Sequence, residues 1–400
     1  MELDNIFDSF GASSLFKDKS VLQSNYSPTT INHRIQQIET MASILGPVLR
    51  GERASNLFLY GKTGTGKTLS AKYISEKIEE KAKKLGNVTL KFLYVNCKSK
   101  KVSDTEYRII AELIKSFGGT IPATGLPTDS VYSKFMEMVD SEKQVVILIL
   151  DEIDQAVKKI SDTFIYTLTR INSELKNAQI SIVGISNSLT FMDNLDPRVR
   201  SSLGEEEIIF PPYNALQLRD ILKERADSAF VPNALEEGVI EKCAAYAARE
   251  HGDARRALDL LRVAGEIAIR ENNDKVTISH IDLANSKIEK DKMLAIIESE
   301  PTQFQLVLYS IMILHEKNSK QSIFTGDVFN MYQDVCEKTK NEILTQRRIS
   351  DIIAEFDMLG IINANVISKG RQGRTREIKL MLAPNIMTKA KEILLKSLGF

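Results

Sequence analysis

Gly61-Lys62-Thr63-Gly64-Thr65-Gly66-Lys67-Thr68 is the stretch on which the reading of this chain turns. It fits G-x-x-x-x-G-K-[ST], the spacing of a loop that cradles nucleotide phosphates. The apolar run Asn56-Leu57-Phe58-Leu59-Tyr60 precedes it and reads as a buried strand; Leu69 to Lys83 follows and reads as a helix. Strand, glycine loop and helix is the context the motif requires. Gly61, Gly64 and Gly66 let the backbone N–H groups of the loop, those of Thr63 and Thr65 included, close around phosphate oxygens. The start of the helix, where Leu69 sits, adds a favourable dipole. Lys67 brings a point charge to the β- and γ-phosphates, and the Thr68 hydroxyl can ligate Mg²⁺. ATP or ADP with Mg²⁺ are the expected cofactors.

A second acidic element completes such a site. Val145-Val146-Ile147-Leu148-Ile149-Leu150 is a continuous apolar run, as a strand buried on both faces would be, and it ends in Asp151 and Glu152. In an open α/β sheet, ligands gather at the carboxyl ends of the strands. Asp151 is then placed to hold Mg²⁺ through water, and Glu152 to orient and deprotonate an attacking water. Ile180 to Ser186 is a further apolar strand, followed by Asn187, whose amide could reach the γ-phosphate or the lytic water. Asp253 is a plausible N-cap for the helix beginning at Ala254, from which Arg255 could fold over the phosphates. On residue type alone, Asn187 reads first as a turn former and Arg255 as a surface arginine.

The chain has 400 residues, 43% hydrophobic and 26% charged, with zero formal net charge. That length suggests two or three domains, and the composition is that of an ordinary soluble globular protein. No apolar run approaches the ~18–20 residues that span a bilayer. Cys97, Cys243 and Cys336 are far apart and odd in number, which argues against a disulfide framework or zinc site and fits a reducing cytosol. Neutrality means that any nucleic-acid surface must be a local patch.

The expected fold class is α/β. Strands at Leu57–Tyr60, Leu90–Asn96, Val145–Leu150, Ile180–Ser186 and Ile208–Phe210 alternate with helical patterns, as in a parallel sheet. From Asn214 to about Lys292 the pattern is helical, with periodic segments at Leu216–Ala226, Ala234–Glu250 and Ala254–Arg270. Beyond Ser299-Glu300-Pro301 come helices near Phe304–Lys317, Thr325–Lys340 and Gln346–Leu359, then strands near Ile361–Ser368 and Arg376–Leu382. The expected domains are 1–213, a nucleotide-binding base with an N-terminal segment; 214–296, a helical lid; and 297–400, a helix-turn-helix with a basic hairpin.

The loop at Gly61–Thr68, the acids at Leu148–Glu152, Asn187 and Arg255 together resemble the AAA+ ATPase superfamily, as Walker A, Walker B, sensor 1 and sensor 2. Three further features resemble the archaeal replication-initiator family, related to origin-recognition and helicase-loading factors. Tyr26-Ser27-Pro28 followed by His33-Arg34 looks like the segment that wraps the adenine in that family, which implies cofactor contacts for Tyr26, Pro28 and Arg34, with Tyr213 added at the end of the sheet block. Asp196 to Gly204 is similar to the box that carries an arginine finger in relatives. Ser202 stands where related boxes have arginine, with Arg198 and Arg200 beside it. The C-terminal layout resembles a winged helix-turn-helix. The resemblance implies origin duplex DNA as partner, a second initiator paralogue and the replicative helicase as further partners, a largely monomeric protein with weak, switch-like ATPase activity and retained ADP, and a nucleoid-associated cytoplasmic location.

The basic end supports this. From Gly360 to Lys391 the cations are Lys369, Arg371, Arg374, Arg376, Lys379, Lys389 and Lys391, against the single acid Glu377. Gly370-Arg371-Gln372-Gly373-Arg374 reads as a hairpin tip able to enter a narrow groove, or as a solvated basic turn. Gln346, Arg347, Arg348 and Ser350 open the expected recognition helix, whose first residues usually meet base edges. By resemblance, the bent excursion Phe117–Asp129, with Thr124 and Gly125, is a second DNA contact. Two alternatives stand beside this reading: a clamp-loader-type ATPase and a winged-helix transcription regulator.

Overall fold

The computed structural model describes residues 15–23, 26–86, 88–99, 105–122, 125–203, 205–317, 322–368 and 374–399. The chain divides into two compact units, Met1–Ile281 and Asp282–Phe400.

In the first unit, a short 3-10 turn at Lys19–Leu22 precedes α1 (Ile35–Leu45), β1 (Asn56–Tyr60), α2 (Lys67–Leu85) and β2 (Thr89–Asn96). Next come α3 (Glu106–Ser116), α4 (Thr128–Val139), β3 (Gln144–Asp151), α5 (Ile153–Lys159), α6 (Thr163–Arg170), β4 (Gln179–Ser186), α7 (Pro197–Leu203) and β5 (Glu205–Ile209). All five strands are parallel, in the order β2-β3-β4-β1-β5. Every residue of β1 and of β3 is buried, which is why both read as unbroken apolar runs. Side chains alternate between two cores: Phe58 and Leu148 belong to one face, Leu57 and Ile147 to the other.

The strand order positions the site. β4 lies between β1 and β3. Asn187, just past β4, therefore emerges between the phosphate loop that follows β1 and the carboxylates that end β3. The edge strand β5 begins at Glu205, earlier than the expected Ile208. Its acidic start, Glu205-Glu206-Glu207, carries no apolar signal, as suits a strand with one unpaired edge.

Three helices follow, α8 (Ala215–Ala229), α9 (Val239–Arg249) and α10 (Ala254–Arg270). Asn214 and Gln217 form a capping box at the start of α8. The expected helix from Ala234 starts only at Val239, because Asn233 (φ 64°) and Gly238 (φ 89°) turn the backbone left-handed first. α11 (Ile278–Ser299) carries the chain onward.

The second unit contains α12 (Thr302–Lys317), β6 (Ile323–Phe324), α13 (Thr325–Thr339), α14 (Gln346–Met358), β7 (Ile362–Ser368), β8 (Arg374–Leu380) and α15 (Pro384–Leu398). Its antiparallel sheet has the order β6-β8-β7. Three helices and a β-hairpin on a small sheet form a winged helix around Ile349, Ile353, Phe356 and Tyr332. The two-residue β6 and the closing helix α15 add to the expected elements.

Candidate functional site

The loop after β1 lines a cavity of about 360 Å³ together with the N-terminal segment and helices α8 and α10, all within the first unit. Thr63, Gly64, Thr65, Gly66, Lys67, Thr68 and Leu69 line it, as do Tyr26, Pro28, Tyr213, Asp151, Glu152, Asn187 and Arg255. The sequence elements expected to share a nucleotide are thus brought together. Two expected cofactor residues are not on its wall. Gly61 packs against the Phe210 carbonyl. Arg34 is buried and braces the loop from behind: its Nε donates to the Thr65 carbonyl at 2.9 Å, one Nη donates to the Pro211 carbonyl, and the guanidinium lies 3.8 Å from the Tyr213 ring centroid. Burial pulls its pKa below the usual arginine range, partly offset by Tyr213. Pro211 leads from the sheet into α8, so Arg34 ties the phosphate loop to the start of the lid helices.

Lys67 Nζ donates to the carbonyls of Gly61 (2.7 Å) and Lys62 (2.8 Å) and to Asn187 Oδ1 (3.0 Å). Burial lowers its pKa to about 8, against the opposing pull of Asp151. The hydrogen-bond partners of this ammonium are all neutral oxygens, which phosphate oxygens can replace.

Thr68 Oγ1 donates to Asp151 Oδ2 at 2.9 Å. A hydroxyl and a carboxylate converging at this separation are hard oxygen donors suited to Mg²⁺. Among the described residues no group of three His, Cys, Asp or Glu could hold a metal alone. Such an ion would draw its other ligands from water and phosphate oxygens, as Mg²⁺ usually does. Glu152 has φ 55°, a left-handed conformation that is uncommon for a side-chain-bearing residue and found often at functional sites. Its Oε2 lies 3.4 Å from Lys98 Nζ.

From the lid side, Asp253 caps α10, accepting from the N–H groups of Arg255 (2.8 Å) and Arg256 (3.4 Å). Arg255 is exposed on the cavity wall. Four contributors were not expected at the site from the sequence. Buried Asp154 accepts from the Asn187 N–H (3.2 Å) and the Ser186 hydroxyl, fixing the amide that follows β4. Tyr94 donates to Asp151 Oδ2 at 2.8 Å. Lys98 meets Glu152, and Arg225 lies 4.4 Å over the Tyr26 ring. Asp154 carried a readable signal, being a third acid just beyond the strand-end pair; the other three are joined by tertiary register alone.

On the expected finger segment, Ser202 Oγ donates to the Val199 carbonyl and shares a hydrogen bond with Thr169, turned into the fold. Arg198 is exposed and pairs with Asp196.

In the winged helix, Thr345 caps α14, and Arg347 and Arg348 are exposed on its first turn. Two expected DNA residues are engaged internally: Arg376 donates to the Ser350 carbonyl, while the Ser350 hydroxyl donates to the Gln346 carbonyl. Lys391 is likewise paired with Glu316 at 2.6 Å. Lys369, Gly370, Arg371, Gln372 and Gly373 lie outside the described residues, as do Thr124 and the side chain of Arg374. Gly125 has φ 106° and open space beside it, in the connection between α3 and α4; the expected excursion ends earlier than anticipated, at Thr128, where α4 begins.

A parallel-sheet nucleotide module with a helical lid, joined to a winged helix, defines an AAA+ ATPase of the initiator type. Three family models match in that order: an AAA domain over residues 50–192, the Cdc6 AAA+ ATPase-type lid domain over 219–286, and the CDC6 C-terminal winged helix domain over 295–390. The chain is 52% identical to the ORC1-type DNA replication protein of Pyrococcus horikoshii, covering 96% of this chain and 92% of that one. It is 49% identical to ORC1-type DNA replication protein 1 of Methanosarcina mazei, covering 94% and 91%. The solved structure of the Aeropyrum pernix ORC1 protein in complex with DNA superposes with a TM-score of 0.82 at 42% identity, covering 96% of this chain and 97% of that one. The chain belongs to the ORC1-type DNA replication protein family. No helix among the described residues is long and apolar enough to cross a membrane.

Proposed function

We propose that this protein is an ATP-dependent replication initiator that binds origin duplex DNA and uses slow hydrolysis to ADP as a switch. The observation that carries the nucleotide half is the meeting of Lys67, Thr68, Asp151 and Asn187 through direct hydrogen bonds at one end of the sheet. In this reading Lys67 and the loop N–H groups bind the phosphates. Thr68 and Asp151 hold Mg²⁺, which neutralises charge on the phosphates when bound. Glu152 takes the proton of the attacking water, Asn187 orients that water, and Arg255 reports the γ-phosphate to the lid. Tyr26 and Pro28 receive the base. The base domain (1–213), lid (214–296) and winged helix (297–400) divide these tasks.

For DNA, Arg347 and Arg348 on the first turn of α14 supply the major-groove contact, and the segment 369–374 and the connection around Thr124 and Gly125 supply further ones. A relative of the same architecture is named in complex with DNA. Attachment at separate points on one duplex favours bending or untwisting, with deformation costs of order several kcal/mol offset by phosphate contacts. A second initiator paralogue and the replicative helicase are the partners this reading assigns, with a monomer in solution and a nucleoid-associated cytoplasmic location. Nucleotide-dependent binding of origin-bearing fragments, compared with scrambled duplex at physiological salt, tests it. Equal affinity for both would leave a non-specific DNA-binding ATPase.

A further inference from the structure

Asp151 is held by more partners than the nucleotide reading uses. Its Oδ1 accepts from the Glu152 N–H at 3.0 Å, and its Oδ2 accepts both from the Thr68 hydroxyl at 2.9 Å and from the Tyr94 phenol at 2.8 Å. Tyr94 comes from β2, next to β3 in the sheet, whose register pairs Asn96 with Asp151. Two residues back along a strand returns to the same face. Tyr94 therefore rises beside the carboxylate and also lines the nucleotide cavity. From α2, one turn beyond the phosphate loop, Lys72 places its ammonium 4.5 Å from the Tyr94 ring centroid. A phenol is protonated at neutral pH, so towards the carboxylate Tyr94 acts as a donor.

We propose that Tyr94 is a positioning residue for the divalent ion: its phenol fixes the Asp151 carboxylate in the orientation that serves Mg²⁺, and Lys72 steadies the ring in turn. The inference rests on the reading of Thr68 and Asp151 as the metal-holding pair. The physical ground is that a carboxylate serving a metal, directly or through a bound water, is oriented by its hydrogen bonds, and loss of such an orienting partner costs roughly 10–100-fold in metal affinity. An opposing effect exists, since a hydrogen bond to Oδ2 also withdraws charge from it. Orientation should win, because without Tyr94 the Oδ2 end is held by the Thr68 hydroxyl alone, a group the ion itself would draw on, while the Glu152 N–H anchors only Oδ1. The two effects differ in sign, so the direction of the shift separates them.

The test uses the full chain and a fluorescent ATP analogue. Analogue affinity is measured in EDTA and then across a MgCl₂ titration, for wild type, Tyr94→Phe and Lys72→Met, with melting temperature as a folding control. The proposal expects Tyr94→Phe to raise the Mg²⁺ midpoint about tenfold, with the affinity in EDTA changed by clearly less than that, and Lys72→Met to shift the midpoint less, in the same direction. An unchanged or lowered midpoint in Tyr94→Phe overturns it. Equal losses with and without Mg²⁺ also overturn it, assigning Tyr94 to packing. If the wild type itself shows no Mg²⁺-dependent binding, the metal-site reading fails first and the proposal falls with it.

Discussion

The backbone N–H of Ala254 donates to the carbonyl of Gly64 at 3.2 Å, joining the first turn of a lid helix directly to the phosphate loop. Asp253, the residue before, occupies the space a side chain at 64 would need. A Cβ built on Gly64 would stand 1.7 Å from Asp253 Oδ1, and the residue has φ 72°. The lid therefore reads the shape of the loop through backbone contact, and Arg255 is set by the same turn.

Gly64→Ala should separate lid and loop. Left-handed backbone strain and the clash together predict a loss of about 1–3 kcal/mol in stability, with nucleotide affinity weakened by at least about tenfold, roughly 1.4 kcal/mol being a factor of ten. Calorimetric titration with ADP and a thermal melt measure both. Asp253→Ala in the same chain relieves the clash but also removes the cap of α10, so it should recover nucleotide affinity more than stability. Wild-type affinity in the single variant would contradict the latch.

Lys67 predicts a pH profile. Its pKa in the free protein is lowered to about 8, and bound phosphate favours the ammonium. Below that pH the lysine is already charged and binding takes up no proton there. Above it, each bound nucleotide must draw a proton from solution, so affinity falls as pH rises, by up to about tenfold per pH unit. Lys67→Met should bind weakly with that slope removed. A wild-type affinity flat from about pH 7 to about 9 would place the lysine outside the phosphate site.

Glu152→Gln should keep nucleotide affinity within about twofold and lower hydrolysis by about 10²–10⁴, the range of a lost general base. Single-turnover hydrolysis with radiolabelled ATP measures it. Ordinary turnover in this variant would remove Glu152 from proton transfer and leave it the ion pair with Lys98 alone.

In the winged helix, two kinds of arginine should behave differently. Arg376 braces α14 through its guanidinium, which donates to the Ser350 carbonyl, and its backbone N–H donates to Thr325 Oγ1. Arg376→Ala should cost about 1–3 kcal/mol of stability by removing a charge-assisted hydrogen bond. Arg347→Ala with Arg348→Ala should leave the melt unchanged and reduce the salt slope of DNA binding by about 1 for each of the two side chains that meets a phosphate. Thermal melts and a salt titration of duplex affinity distinguish the two kinds.

The sequence made the nucleotide half legible because its chemistry is local. The run from Gly61 to Thr68 and the strand ending at Asp151 each carry their own signature, and strand order then brings them together. Tyr94, Lys98 and Arg225 were silent, since nothing in their neighbourhoods marks them: they matter through β2 lying beside β3 and through the N-terminal segment strapping onto α8. Arg34 was legible as a site residue by resemblance, yet the structure has its guanidinium engaged with Thr65 and Pro211 behind the loop. The acidic start of β5 and the two-residue β6 left no apolar pattern to read, so β5 is expected only from Ile208 and β6 not at all.

The most direct test of the central claim is a pulldown of host genomic fragments with purified protein at physiological salt, wild type beside the Arg347→Ala/Arg348→Ala variant. Enrichment of a few discrete intergenic sites by the wild type, lost in the variant, is the predicted result. Equal, salt-labile recovery of all fragments by both proteins would contradict a sequence-specific initiator.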